Sequence, residues 1–435
     1  MTARSENTAK PSACPTPPER LPEIEVSLLT GGFDKPYASG LARALISKGV
    51  CLDVIGSDDV DGPEMHSTPG LTFLNLHNRK RKDSRSLKKA YGVLVYYARL
   101  LRYAACAKPR IFHILWNNRF QMLDRTLLMR YYKLLGKTIV VTAHNVNAGK
   151  RDSNDSWLNR VTLKTQYRLA DHIFVHTDKM KNALAAEFGV NQQSLTIIPF
   201  GINNSVPDTE LTPAHAKQRL GIRSGEKTVL FFGNIGPYKG LDILVAAFQA
   251  LAARDAGFRL IIAGKLRGGC GTYWENIRRA IDGDASRHRI IRKIEYIPDH
   301  ETELYFKAAD VLALPYKHVS QSGVLLLGYN FGLPAIAADV GSFREDIIEG
   351  KTGFLCRSGD ALELATAVER YFNSDLFKNL NNHRMEIKKY ANARYSWDLV
   401  GEMTRAVYAG LLDSCRHPMV GIRSHSRIQH SRIDL

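Results

Sequence analysis

Short apolar runs and amphipathic segments alternate along most of this chain. IEVSLL from Ile24, VCLDVIG from Val50, FLNL from Phe73 and IFHIL from Ile111 read as strands, with the helical spacing of ASGLARALISKG between the first two. KTIVVTAH from Lys137, HIFVHT from His172 and LTIIPFG from Leu195 extend the series. Strands of this kind predict one parallel sheet with helices on both faces, ending near Gly201. The next segment, NNSVPDTELTPAHAKQRLGIRSGEK, has two prolines and clustered small polar residues, which predicts a linker with a short helix.

The alternation then starts again. TVLFFGN from Thr228, FRLIIAG from Phe258, IEYIP from Ile294, DVLALP from Asp310 and LPAIAAD from Leu333 predict a second Rossmann-like sheet. The fold class expected is therefore α/β, with two doubly wound domains facing across a cleft, where ligands are preferentially held. The boundaries follow: a disordered leader over 1–21, a first domain over 22–203, a linker over 204–226 and a second domain over 227–375. Helices over 376–412 are expected to cross back onto the first domain, and a basic disordered tail closes the chain over 413–435.

Composition changes this picture in two ways. Lys and Arg total 60 against 43 Asp and Glu, a formal charge of +17, so an anionic partner is expected: nucleic acid, anionic lipid or a phosphorylated metabolite. The six cysteines, Cys14, Cys51, Cys106, Cys270, Cys356 and Cys415, lie far apart with no CxxC pair, which predicts isolated thiols in a reducing compartment rather than disulfides or structural zinc. The N-terminal segment is polar and Pro-rich without an apolar core, unlike a signal peptide. The uncharged stretch Val319 to Ala338 contains Ser, Gln, Asn, Pro and three Gly, unlike a membrane span.

Three motifs carry candidate chemistry. Gly31 and Gly32 follow the first strand, where small residues let a ligand approach backbone amides; a tight strand-to-helix turn is the plain alternative. In FFGNIGPYKGLDILVAAF a strand ends at Gly233 and Asn234, and Lys239 stands just before a helix. A cation there opposes the helix dipole, so an anion between the ammonium and the amides is expected, against the alternative of a solvated lysine. In PYKHVSQSGVLLLGYNFGLPAIAADVGSFREDIIEGKTGF, Ser320, Gln321, Ser322 and Gly323 open an apolar helix with Val324 in its first turn. Residues of this kind cap helices and also build phosphate cradles. Glu345 follows in a loop.

From Leu21 to Leu412 these features resemble family 4 glycosyltransferases of the GT-B fold: GG after the first strand, FGNxxxxKG opening the second sheet, then PYKHVSQSGVLLLGYNFGLPAIA and GSFREDIIEGKTGF in order. The resemblance implies transfer of a sugar from a nucleotide diphosphate donor, with retention at the anomeric carbon and without an essential metal or other cofactor. It implies that Lys239 contacts the donor diphosphate, whose charge grows in the transition state. It also implies that the Gly31–Gly32 loop faces donor phosphates or acceptor, and that His144, followed by Asn145 on the acceptor side, lines the cleft beside the transferred sugar. Gly233, Asn234, Gln321, Ser322, Gly323, Val324 and Glu345 fall on the donor side.

Two departures stand out. The family's usual Arg after the phosphate-loop strand is Asn234 here, which leaves Arg119, Lys265 or Arg267 as substitute cations. The family's paired glutamates fall in ungapped register on Val319 and Leu327, so either Gln321, Ser322 and Glu345 supply the hydrogen bonds to the donor or donor recognition differs from the family's.

Seven basic residues between Arg79 and Lys89 precede a Tyr- and Leu-rich helical stretch, so 79–106 is expected to dock on an anionic membrane surface. That fits a glycan or polyprenyl-linked acceptor and a cytoplasmic location, peripheral at the inner face of the membrane. GKT at Gly136 and Gly350 lacks the earlier glycine of a Walker loop, having Tyr131 and Glu345 there. The sequons at Asn154 and Asn203 have no meaning in the cytosol. The rival from another class is a nucleotide-sugar-binding scaffold subunit of a polysaccharide assembly. A nucleic-acid binder is not expected, since no recognition module accompanies the charge.

Overall fold

The computed structural model describes residues 24–32, 34–76, 86–151, 155–202 and 206–416. The first sheet is built from β1 (Ile24–Leu29), β2 (Val50–Gly56), β3 (Leu71–Asn75), β4 (Ile111–Ile114), β5 (Thr138–Thr142), β6 (His172–Val175) and β7 (Leu195–Ile197). Its order is β3-β2-β1-β4-β5-β6-β7, with every pairing parallel. The second sheet comprises β8 (Lys227–Phe232), β9 (Phe258–Ala263), β10 (Ile290–Lys293), β11 (Val311–Leu314), β12 (Ala335–Ala338) and β13 (Gly353–Cys356). It too is parallel throughout, in the order β10-β9-β8-β11-β12-β13. The expected α/β architecture with two doubly wound domains is therefore present. Each sheet reverses its winding beside its first strand, so the two switch points lie at the carboxyl ends of β1/β4 and β8/β11.

Two edge strands differ from expectation. The strand expected from Ile294 lies four residues earlier, because Ile290–Lys293 is the segment in register with Leu260–Ala263 of β9; Ile297 enters the core from the loop instead. The short, glycine-led β13 was not foreseen as a strand; it closes the opposite edge against β12. The first helix begins at Lys35 rather than near Ala38, with Pro36 in its first turn and Asp34 as its cap, accepting from the Tyr37 amide.

The second domain has one core, running from Val229 to Tyr395 and reaching back to Ile202, Val206 and Ala216. The first domain has two, one on each face of its sheet. Among the helices expected to cross back, Leu380–Tyr395 stays with the second domain, burying Ile387, Ala391 and Tyr395 in its core. Only Trp397–Arg416 packs on the first domain, where Val400 and Tyr408 join the core beside Tyr37 and Leu41. The crossing is tied twice to one residue: the Ile202 amide donates to the Tyr395 carbonyl at 3.0 Å, and the Trp397 indole donates to the Ile202 carbonyl at 2.8 Å. Trp397 lies so close to Gly40 and Gly201 that a β-carbon on either would fall 2.2 and 2.4 Å from its ring.

The leader over 1–21 lies outside the described residues, as does the basic run from 79 to 85. Of the tail expected over 413–435, residues 413–416 continue the last helix and the rest lie outside.

Candidate active site

On the second-domain side the site starts at the end of β8. Gly233 leaves the strand at φ +94°, and the chain turns through Pro237–Lys239 before the helix Leu241–Arg254. This turn folds Lys239 inward: the residue is 5% exposed, its Nζ donating to the Phe232 carbonyl at 3.4 Å. The ammonium lies over the rings of Tyr316 (5.2 Å) and Phe231 (5.9 Å). No carboxylate pairs with it among the described residues, and burial lowers its pKa. A buried cation without a counter-charge is costly in a protein built for stability alone.

The third motif meets Lys239 there. A β-carbon on Gly233 would sit 3.0 Å from Lys239 Nζ and 3.4 Å from Val324 Cγ2, so Gly233, Lys239 and the first turn of the helix Gly323–Asn330 share one small space. Ser322 caps that helix, accepting from the Leu325 amide at 3.3 Å. Beside it the buried Oε1 of Gln321 has no partner among the described residues. The loop after β9 pairs with the loop after β8: the Ile235 amide donates to the Lys265 carbonyl and the Arg267 amide to the Ile235 carbonyl. Lys265 and Arg267 thus stand beside Asn234, all three exposed.

The first-domain side is made of rings. Trp116, just past β4, stacks on His144, just past β5, with centroids 4.2 Å apart and planes 7° from parallel. Tyr37 meets His144 edge-on at 4.7 Å, and Phe200 approaches it at 6.0 Å. His176, at the end of β6, holds His144 Nδ1 through its Nε2 at 3.1 Å. Burial drives the His144 pKa far down, aided by repulsion from His176 and His113, so the ring is neutral. Gly31, at φ +60°, lets the first loop lie against Trp116 and Asn117, whose carbonyl oxygens would be 2.7 and 2.8 Å from a β-carbon. Gly32, at φ +76°, lies similarly against Ser57.

Phe200 joins the two sides, since a β-carbon on Gly323 would lie 3.7 Å from its ring. The structure therefore brings Lys239, Gly233, Gln321, Ser322, Gly323 and Val324 to one wall, and His144, Gly31 and Gly32 to the facing one. Glu345 is exposed, in the short helix Phe343–Asp346. Burial raises its pKa first, then the charges of Asp346 and of Asp178 across the cleft. Asn145 is half-buried beside His144. Arg119 is exposed in the loop after β4. Of the two positions in register with the family's glutamates, Leu327 is core, and Val319 lies against Gly341.

Sequence reasoning missed Tyr37, Trp116, His176 and Phe200 as parts of the site. Their signal was position: Trp116 and His176 follow directly the carboxyl ends of parallel strands, where ligand groups gather.

Glycosyltransferase Family 4 matches residues 36–206, and Glycosyl transferases group 1 matches residues 226–374. The chain belongs to glycosyltransferase family 4. This glycosyltransferase is 24% identical over 394 residues to the D-inositol 3-phosphate glycosyltransferase of Corynebacterium diphtheriae, covering 87% of this chain and 90% of that one. To its namesake in Acidothermus cellulolyticus it is 25% identical over 435 residues, covering 94% of each. In structure the glycosyltransferase is similar to sucrose-phosphate synthase of Thermosynechococcus elongatus, with a TM-score of 0.72 at 18% identity over 90% of this chain and all of that one. It is also similar to Anabaena HepE in complex with UDP-glucose, with a TM-score of 0.67 at 15% identity over 90% of this chain and all of that one. No helix among the described residues is long and apolar enough to cross a membrane.

Proposed function

We propose that this glycosyltransferase moves a sugar from a nucleoside diphosphate donor to a hydroxyl of a glycan or lipid-linked acceptor, with retention of anomeric configuration, in polysaccharide or glycoconjugate assembly. The observation that carries the reading is Lys239, a buried ammonium at the mouth of a strand, without a carboxylate among the described residues and beside the first turn of a capped helix. The missing counter-charge is supplied in this reading by the donor diphosphate. As the bond to the sugar breaks, negative charge grows on the leaving phosphate. The ammonium and the amides of Gly323 and Val324 stabilise that charge without reorganising. No metal is needed in this account. Gln321 Oε1 offers an acceptor to the donor's hydroxyls or base, Glu345 a carboxylate, and Lys265 and Arg267 stand where the family's arginine is replaced by Asn234.

Docking on an anionic cytoplasmic membrane face is part of the proposal, supported by apolar side chains left outside the first domain. Tyr91 and Leu94 are each 70% exposed and Trp157 is 74% exposed, with Phe120, Met122 and Leu127 exposed between them. The elements that bear them touch, through Tyr97 donating to Asp124 and Arg125 donating to Asn159. Apolar groups beside a basic run suit a lipid surface.

The test is a thermal-shift series of the full chain with UDP, GDP, ADP, TDP and their glucose conjugates, repeated on Lys239→Met. A Lys239-dependent rise with one nucleotide is expected. Transfer is then assayed with that donor against lipid-linked acceptors and against D-inositol 3-phosphate. Absence of any shift overturns the reading. Binding without turnover on any acceptor favours the scaffold instead.

A further inference from the structure

The pair His144 and His176 has a direction that the hydrogen-bond chemistry fixes. His176 is 6% exposed, and its Nδ1 is 3.1 Å from the Ile198 carbonyl. A carbonyl only accepts, so the proton of that bond is on His176 Nδ1. Burial holds the His176 pKa at about 4, so the ring is neutral near pH 7 and carries no second proton. Its Nε2 is then a lone pair, and it faces His144 Nδ1 at 3.1 Å. Two lone pairs do not face each other at that distance, so the His144 proton is on Nδ1. Among the described residues no carboxylate touches His144 to stabilise a charged ring. Its neighbours are the Trp116, Tyr37 and Phe200 rings and the two neutral imidazoles of His176 and His113. One atom is left over: His144 Nε2, buried and without a partner among the described residues.

We infer that His176 is a positioning residue which, anchored on the Ile198 carbonyl, locks His144 in the tautomer that bears its proton on Nδ1 and keeps a bare acceptor on Nε2. The consequence is a rule of substrate choice. A wall made of rings and one neutral acceptor takes a hydroxyl that donates. It refuses a group that only accepts, such as a carboxylate or a fluorine in the hydroxyl's place. At neutral pH it also bars His144 from delivering a proton, and leaves it to orient a sugar hydroxyl. This consequence rests on the proposed placement of the transferred sugar beside His144; the tautomer does not.

The test separates the two. In the full chain labelled with ¹⁵N-histidine, long-range imidazole ¹H–¹⁵N correlation, with His144→Asn to assign the signal, is expected to show His144 neutral and protonated on Nδ1 from pH 5.5 upwards. His176→Gln retains an acceptor where Nε2 was and is expected to preserve that pattern. His176→Asn reaches only the Ile198 carbonyl and is expected to release the proton to Nε2. With an active donor, His176→Asn should lower kcat by about tenfold to a hundredfold with KM unmoved, and His176→Gln should restore most of it. A wild-type His144 protonated on Nε2, or a spectrum unchanged in His176→Asn, overturns the lock, and the wild-type spectrum decides even if a variant fails to fold. A locked His144 in a chain that turns over no sugar nucleotide upholds the lock and overturns the transfer reading.

Discussion

The two walls of the cleft are built from opposite materials. The first-domain wall is a set of touching rings, Trp116, His144, Tyr37, His176 and Phe200, whose polar groups are neutral. The second-domain wall is backbone and charge: glycine turns, a helix start and the buried Lys239. Rings with a single acceptor suit a neutral polyol, and amides with an ammonium suit an anion. A substrate with both parts, such as a sugar joined to a diphosphate, has one half matched to each wall. The lesson is that a cleft between two similar folds need not be chemically symmetric, because each fold lends its strand ends to a different task.

The sharpest way to break the comparison is Lys239→Met. If the charged wall grips the diphosphate, the loss in kcat is expected to be about a hundredfold to a thousandfold. The melting temperature should hold or rise, because a buried ammonium without a carboxylate is removed. A parallel fall in stability and activity would reduce Lys239 to a structural residue.

Acid should separate the domains themselves. His113, His172 and His176 are buried in the first domain, whereas no histidine of the second domain is buried. Burial lowers the pKa of His113 to about 3 and of His172 and His176 to about 4. Below about pH 6.5 the unfolded chain binds protons that the folded domain refuses, so stability is complete above that value and declines as pH falls towards 4. The fully realised penalty is on the order of 5 kcal/mol for His113, reached only below about pH 3, and on the order of 3 kcal/mol for His176. Hydrogen exchange between pH 7 and 4 is expected to show the strands of the first sheet opening before those of the second, and the reverse order would contradict the imbalance.

His144→Asn tests the ring wall alone. A fall of about tenfold to a hundredfold in turnover is expected while UDP affinity, measured calorimetrically, stays within about twofold. Loss of UDP binding would mean that the walls are not divided in this way. The smallest effect is that of Ser322→Ala, which removes the cap of the helix Gly323–Asn330 and should lower stability by about 1 kcal/mol. Its donor affinity should fall in step if the first turn cradles phosphate.

The sheets were legible in the sequence because parallel strands buried on both faces read as unbroken apolar runs, as in TVLFF and FRLIIA. Legibility failed at the edges. Arg292 and Lys293 diluted β10, and Gly353 opened a strand of four residues. Of the site, the glycine and lysine wall could be read because local backbone geometry demands those residue types. Of the ring wall only His144 was anticipated, through the family resemblance; Tyr37, Trp116, His176 and Phe200 meet it only after distant strands pair, and each looks alone like an ordinary core aromatic. The return of the last helix was legible, but not that Leu380–Tyr395 stays behind, since the turn at Ser396 divides two segments of similar pattern between two different cores.

The return of Trp397–Arg416 to the first domain has a consequence for how the chain is made. The Tyr408 hydroxyl meets His113 Nδ1 at 2.5 Å inside the first core, and Thr404 and Val400 are also fully buried there. The amino-terminal half is therefore not a self-contained length of polypeptide. When residue 202 leaves the ribosome, about two hundred residues remain to be added before that core can close, which at about 5–20 residues per second is roughly 10–40 s. Through that interval the face awaiting the last helix stays bare, while the carboxyl-terminal domain is completed. The domain begun first is the one finished last.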